Sequence, residues 1–263
     1  MLLAILWTRF APWTFQLRTP LVIANWKLQG SRDLCGKFKS ELRIPSNVEV
    51  WIAPPALYLD SLVSGQPTSA KVGVQNVHFD EAGAYTGEIA AGMVRDLGGI
   101  FSIVGHSERR TLFHETDQVV AQKFLACCEA ELTPVLCVGE TLDQREEGIA
   151  KEVVWNQVAE VLEKCDPAVF GRAQLAYEPI WAIGTGVVAT PEDAEDMHGH
   201  LRSMIADSTV LTGEELRILY GGSVKIDNAS QLIAQANVDG FLVGGASLDI
   251  VQFNSICQIA SGN

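Results

Sequence analysis

The sequence predicts an α/β protein, a single domain folded as a closed (β/α)8 barrel with eight parallel strands inside a ring of helices. Short β-rich runs recur along the chain, and a stretch with helical spacing follows each of them. Most of these runs are continuously apolar, as strands buried on both faces of a parallel sheet are. No linker or block of charge divides the chain. The predicted strands lie near 21–26, 48–53, 71–76, 100–104, 133–138, 173–178, 216–220 and 238–243.

Helical signals occupy the segments between these runs. In TPEDAEDMHGHLRSMIA, Thr190 is a predicted N-cap, Pro191 takes the first helical position, and acidic residues follow in the first turn. The C-terminal stretch SLDIVQFNSICQIA has apolar residues at helical spacing. The rival fold is a doubly wound open sheet, which usually carries a GxGxxG motif after its first strand. The corresponding segment here, ANWKLQGS, has no such motif.

Composition narrows the possible partners. The chain has 263 residues, 48% of them hydrophobic, and a formal net charge of −13. This charge disfavours nucleic acids and anionic membranes as partners, whereas an anionic metabolite could still bind through local donors. The six cysteines form no CxxC pair and no metal-ligand pattern with histidine, so we expect free thiols in a cytoplasmic protein without a metal.

Residues 1–17, MLLAILWTRFAPWTFQL, differ from the rest of the chain by their apolar and aromatic composition. A signal peptide would have a basic start, a longer apolar run and a small-residue cleavage site. The uninterrupted apolar run, Met1 to Trp7, is far shorter than the ~20 residues that span a bilayer. We therefore expect an N-terminal extension, followed by a barrel domain over 18–263.

Chemistry-bearing residues follow several predicted strands. In a (β/α)8 barrel the loops after the strands share one face, and active sites form there. Each residue also has a plain structural interpretation: the acid could be solvated, the histidine could cap a helix, the lysine could be a surface charge, and the glycines could mark tight turns. Their shared position at the same end of several strands favours a functional site. The residues that follow the predicted strands are Asn25, Lys27, Gly105-His106-Ser107-Glu108, Glu178, Gly221-Gly222-Ser223 and Gly244-Gly245.

The two glycine-rich turns indicate a phosphorylated ligand. Turns after the seventh and eighth strands expose backbone N–H groups, and the second of them leads into a helix start at GGASL. Such groups bind phosphate without a net positive charge. An acidic chain could therefore hold an anion through dipoles and one lysine.

Seven segments of the sequence resemble the triosephosphate isomerase family in residue identity, order and spacing. The segments are ANWKLQGS, QNVHFDEAGAYTGEI, VGHSERR, TPVLCVGET, AYEPIWAIGTG, LYGGSV and VDGFLVGGASL. The resemblance runs from about Arg18 to the C-terminus, and YEPIWAIGTG is its most specific part. It implies a TIM barrel that interconverts dihydroxyacetone phosphate and glyceraldehyde 3-phosphate without cofactor or metal.

The resemblance also implies a role for each residue at the strand ends. Glu178 corresponds to the base that moves a proton between two carbons. His106 corresponds to a neutral imidazole that polarises the carbonyl, with a basicity that the adjoining helix start should depress. Lys27 corresponds to the ammonium that stabilises developing charge, and Asn25 to an amide on the substrate oxygen. The phosphate contacts fall on Gly184, Ser223, Gly244 and Gly245.

Supporting roles follow in the same way. Ser107 could cap the turn that begins at His106, and Glu108 is either an acid near Lys27 or a surface ion pair. Cys137 corresponds to a position behind the base, although a buried core thiol is the simpler interpretation. The segment 76–88 corresponds to a loop that enters a second subunit of a homodimer, with Thr86 near the partner's site; Thr86 could otherwise be an ordinary turn residue.

The segment 179–189 corresponds to a closing lid, in which Trp181 and Ile183 would exclude water from the site. The family commonly has lysine after GTG, where this chain has Val187. Two other functions remain open at this point, another phosphate-binding barrel enzyme and a non-catalytic binding protein on the same scaffold. The joint presence of Asn25, Lys27, His106 and Glu178 favours the isomerase.

Overall fold

The computed structural model describes residues 18–64, 69–183, 188–211 and 216–262. Eight parallel strands form one sheet in the order β3-β2-β1-β8-β7-β6-β5-β4. Parallel pairing of Val74 with Ser102 brings the two edges together, so the barrel is nearly closed. The strands are β1 (Leu21–Asn25), β2 (Glu49–Ala53), β3 (Lys71–Val72), β4 (Phe101–Val104), β5 (Thr133–Val138), β6 (Gln174–Tyr177), β7 (Ile218–Tyr220) and β8 (Gly240–Val243).

Helices follow the strands, as the alternating pattern predicts. The N-cap of α9 is Thr190 and Pro191 is its first residue, with a complete capping box between Thr190 and Asp193. The α-helices are α1 (Arg32–Glu41), α2 (Leu59–Val63), α3 (Ala91–Asp96), α4 (Ser107–Leu112), α5 (Asp117–Glu129), α6 (Leu142–Glu146), α7 (Ala150–Leu162), α8 (Pro167–Phe170), α9 (Pro191–Ser208), α10 (Ile226–Ile233) and α11 (Ile250–Ala260), and short 3-10 turns occupy Ala56–Tyr58, Ile180–Ala182 and Gly245–Leu248.

The third strand is much shorter than the predicted 71–76. It ends at Val72 because the backbone changes partner at Gly73. A Cβ at Gly73 would lie 2.2 Å from the carbonyl oxygen of Phe101, so only glycine permits this approach. Beyond it, the Val74 N–H donates to Phe101 at 3.1 Å, which joins the third strand to the fourth.

The apolar runs are continuous because both faces of each strand are buried. On β1, Leu21 and Ile23 belong to the core inside the barrel, and Val22 and Ala24 belong to the layer between strands and helices. Each large apolar side chain in these layers contributes about 1.5–3 kcal/mol on burial. Two layers of this kind fix the strands rigidly, and the residues at their ends are fixed with them.

All strands run in the same direction, so their C-terminal ends form one face, which we call the mouth, and their N-terminal ends form the opposite face, the floor. Every predicted strand-end residue in the described part of the chain lies at the mouth. No helix among the described residues is long and apolar enough to cross a membrane. The extension 1–17 lies outside the described residues.

Candidate active site

The centre of the mouth holds a buried carboxylate facing an imidazole. Glu178 follows β6 directly and is 1% exposed, and His106, two residues after β4, is 6% exposed. Glu178 Oε1 lies 3.0 Å from His106 Nε2. Its other oxygen, Oε2, accepts a hydrogen bond from the Ser107 N–H at 2.8 Å. Glu178 and His106, which are 72 positions apart in sequence, are therefore in direct contact.

Two glycines permit this placement of Glu178. A Cβ at Gly139 would lie 1.8 Å from the Glu178 carbonyl oxygen, and a Cβ at Gly221 would lie 2.8 Å from its Cγ. The backbone is held there by the Glu178 N–H, which donates to Val138 at 2.8 Å. The segments that follow the two neighbouring strands therefore pack against Glu178 from both sides.

The start of α4 sets the tautomer of His106. His106 is itself the N-cap, and its Nδ1 accepts from the Glu108 N–H at 3.2 Å. A ring nitrogen that accepts a hydrogen bond carries no proton, so the proton of the neutral ring is on Nε2. The prediction that Ser107 caps this turn is wrong: Ser107 is the first helical residue, and its N–H serves Glu178 instead.

The electrostatics of the pair differ in part from expectation. Burial is the largest influence on the pKa of His106 and lowers it, but the facing Glu178 carboxylate outweighs burial and raises that pKa above its ordinary value. Burial likewise raises the pKa of Glu178, but His106 and the Ser107 N–H outweigh it and hold that pKa below its ordinary value. The predicted depression of the His106 pKa is therefore absent while the two side chains touch.

One oxygen of Glu178 lacks a well-formed hydrogen bond. Despite the 3.0 Å separation from the imidazole, no donor among the described residues is aligned on Glu178 Oε1. A buried acceptor without an aligned donor costs about 1–3 kcal/mol. Such an atom is available to receive a proton from a bound molecule.

Lys27 and Asn25 lie after β1, beside this pair. Lys27 has a φ of 52°, a conformation that is rare for residues other than glycine. Its backbone N–H donates to Asn25 Oδ1 at 3.0 Å, and its Nζ lies 2.5 Å from Glu108 Oε1. The strained turn directs the ammonium across the mouth, and the partly exposed Glu108 carboxylate positions it there.

The predicted phosphate-binding turns are also at the mouth. Ser223 follows β7, while Gly244 and Gly245 follow β8 and begin a 3-10 turn. A Cβ at Gly244 would lie 3.0 Å from Lys27 Cε, whereas space beside Gly245 is open to 4 Å. Backbone N–H groups and the lysine thus adjoin one opening. Gly184 and Val187 lie outside the described residues.

Glu140, after β5, anchors the start of the predicted lid. Its Oε1 accepts from the Trp181 indole at 2.7 Å and from the Tyr177 hydroxyl at 3.0 Å. Glu140 is fully buried, and burial raises its pKa. The Arg145 guanidinium stacks on the Trp181 ring at 4.4 Å. Glu140 was not among the predicted site residues, although it is an acid at a strand end, in CVGE, as Glu178 is.

The two remaining predicted residues have different settings. Cys137 lies on β5, fully buried inside the barrel, and burial together with the charge of Glu178 raises its pKa well above the ordinary value. This favours the core-thiol interpretation. Thr86 is exposed and lines a cavity of about 390 Å³ with Arg109 and Glu115.

No group of three or more His, Cys, Asp or Glu side chains in the described part of the chain could hold a metal ion. The chemistry that these side chains offer is proton transfer and hydrogen bonding to oxygen. A buried carboxylate and an Nε2–H donor beside an ammonium suit a reaction that builds negative charge on an oxygen.

Comparison with known proteins identifies the family of the chain. The triosephosphate isomerase family model matches residues 20–260. A triosephosphate isomerase of Nitrosococcus oceani is 48% identical over 251 residues, covering 93% of this chain and 100% of its own length. Those of Stenotrophomonas maltophilia strain K279a and Alcanivorax borkumensis are 47% and 46% identical, covering 94% and 92% of this chain and 100% and 99% of theirs. The chain therefore belongs to the triosephosphate isomerase family and is an isomerase.

Proposed function

We propose that the chain interconverts dihydroxyacetone phosphate and D-glyceraldehyde 3-phosphate by proton transfer through an enediolate. The observation that carries the proposal is the buried contact of Glu178 with His106 at the mouth, 3.0 Å apart. Glu178 takes a proton from one carbon of the substrate and returns it to the neighbouring carbon. The Nε2–H of His106 donates to the oxygen on which charge develops.

Lys27 and Asn25 act on the same oxygens. The ammonium of Lys27 attracts the substrate and offsets the charge of the enediolate, and Asn25 orients it. The substrate phosphate is held by the backbone at Ser223, Gly244 and Gly245, with Gly184 joining from the lid. These donors fix the anion although the chain has a net charge of −13.

Substrate entry reverses the pKa shifts of the central pair. A carbonyl oxygen that accepts from His106 Nε2 must take the place of Glu178 Oε1, so the carboxylate moves away from the ring. The influences that hold the pKa of Glu178 low and that of His106 high are then lost. Burial remains and makes Glu178 a stronger base and His106 a neutral donor. Lid closure strengthens the effect by excluding water.

We also propose that the protein is a homodimer. Apolar side chains are exposed on the loops and turns after the first four strands, among them Leu28 at 97%, Leu57 at 90% and Phe113 at 62%. Exposed apolar patches of this kind mark protein interfaces. Thr86 lies on the same side of the mouth and would approach the partner's site. Sedimentation should give twice the chain mass, and Leu57→Glu should lower it to that of a single chain.

The activity is tested by a coupled assay of the purified protein with glyceraldehyde 3-phosphate. Turnover should be lost in Glu178→Gln and kept in Glu146→Gln, which changes an exposed glutamate on α6. Binding of a phosphate-bearing inhibitor without turnover by the wild type would instead support the non-catalytic alternative. The free cysteines suit the cytoplasmic location that we propose for the enzyme.

A further inference from the structure

A second cavity lies at the floor, away from the mouth. It has a volume of about 500 Å³ and adjoins Thr133 and Pro134, the first residues of β5. The end of α5 and the turn between α7 and α8 form its walls. The apolar part of its lining comes from Leu125, Leu132, Pro134 and Val169. Its volume is that of a small-molecule site.

Two thiols open on this cavity. Cys128 lies near the end of α5, and Cys165 lies between α7 and α8. Both are partly exposed free thiols, whereas the other four cysteines of the chain are buried. They are near enough for a charge on Cys165 to act on Cys128. Any exchange with an outside reagent should therefore begin here.

The rim offers one unpaired charge of each sign. Lys164 pairs with Glu160, Glu131 pairs with Arg95, and Asp166 caps α8. Within the described ranges, Glu129 and Arg172 have no ion-pair or side-chain hydrogen-bond partner. A guest with both a carboxylate and an ammonium group matches this pair of charges.

We propose that this cavity is a thiol-modification site that takes a small zwitterionic disulfide of the amino-acid or peptide class, attached at Cys165. The Cys165 thiol loses its proton to water, and its sulfur attacks one sulfur of the guest disulfide. A new S–S bond forms, the guest's S–S bond breaks, and the second half leaves as a thiolate that takes up a proton. The attached half lies in the cavity with its carboxylate towards Arg172 and its ammonium towards Glu129.

The preference for Cys165 follows from its position in the fold. Cys165 lies on the turn between α7 and α8, whereas Cys128 is held within the last turn of α5. Burial raises the pKa of both thiols, that of Cys165 to about 11 and that of Cys128 to about 12. Both shifts make exchange slow near neutral pH and faster in alkali.

The test treats the native protein with oxidised glutathione at about pH 9, where more thiolate is present. Intact-mass measurement should show one glutathionyl group for each chain, removed by dithiothreitol, and peptide mapping should place it on Cys165. Cys165→Ser should block uptake. Turnover should be unchanged, because the cavity lies at the floor.

Charge recognition is tested separately. Arg172→Gln should slow uptake of oxidised glutathione about threefold, the size of one exposed ion pair, and should not slow uptake of uncharged 2-hydroxyethyl disulfide. Arg43→Gln, an exposed arginine at the end of α1, is the control. Glutathionyl groups on the buried cysteines, or uptake unaffected by Cys165→Ser, would overturn the proposal. So would a direct Cys128–Cys165 disulfide, seen as a loss of two hydrogens without added mass.

Discussion

Two buried carboxylates, one at each end of the barrel, show how stability and chemistry are separated. Asp239 at the floor is 5% exposed, and its oxygens contact Arg18 at 2.5 Å, Arg202 at 2.6 Å and the Ile218 N–H at 2.8 Å. Glu178 at the mouth is as deeply buried but has one aligned hydrogen bond, from Ser107, and one oxygen without an aligned donor. Both oxygens of Asp239 have hydrogen-bond donors from the chain itself. Glu178 Oε1 has no aligned donor and remains available to a bound molecule.

Asp239→Asn should have the largest effect on stability. The change removes the charge that two guanidinium groups share, and breaking a buried ion pair costs about 3–5 kcal/mol. Urea unfolding measures this loss, and turnover of the folded protein should be unchanged. Asp33→Asn removes the exposed pair with Lys37 and is the control, with an expected cost below about 0.5 kcal/mol. The contacts of Asp239 with Arg18, Arg202 and the Ile218 N–H form what we call the floor network. Equal costs for the two variants would contradict a special role of this network in stability.

A pH titration of stability should detect His198, a buried residue of α9 that neighbours this network. Its Nδ1 lies 3.1 Å from the Asn237 carbonyl oxygen, and burial lowers its pKa to about 4. Below pH ~6.5 the unfolded chain binds a proton that the folded chain refuses, so stability falls as pH drops from ~6.5 towards 4. A shift of this size corresponds to about 3 kcal/mol across the window.

The measurement compares urea unfolding of the wild type and His198→Gln between pH 4.5 and 7. The variant should show the shallower slope. His200→Gln, which removes a histidine from the same helix, is the control. If wild type and His198→Gln give parallel curves, His198 does not remain neutral in the folded protein.

Glu178→Asp, at the mouth, should reduce turnover and leave stability nearly unchanged, the reverse of the effect expected for Asp239→Asn. It withdraws the carboxylate by about one bond length, and a misplacement of ~1 Å can cost about a hundredfold in turnover. The melting temperature and KM should change far less, because the phosphate contacts lie elsewhere. Steady-state assays and thermal unfolding measure both effects. Turnover within a factor of two of the wild type would show that Glu178 is not the base.

The same contrast explains what could be predicted from sequence. Apolar runs and glycine turns are local signals, so the barrel and the strand-end position of Glu178 were predictable. The early end of β3 depends on the approach of Gly73 to Phe101, which is a contact between distant segments. The raised pKa of His106 depends on Glu178, which lies 72 residues further along the chain, so no local sequence pattern reveals it. Glu140 carried a local signal that was overlooked.

Removing the extension should have the smallest effect and should locate the edge of the floor network. Residues 1–17 precede Arg18, whose Nε contacts Asp239 at 2.5 Å. A chain that begins at Arg18 keeps this contact, so its turnover and melting temperature should match those of the full chain. A chain that begins at Thr19 loses it and should be about 1 kcal/mol less stable at unchanged turnover, since Arg202 still holds Asp239. Thermal and urea unfolding of the three chains separate these outcomes. Insolubility or inactivity of the chain that begins at Arg18 would show that the extension is part of the fold, and the barrel domain would then begin before residue 18.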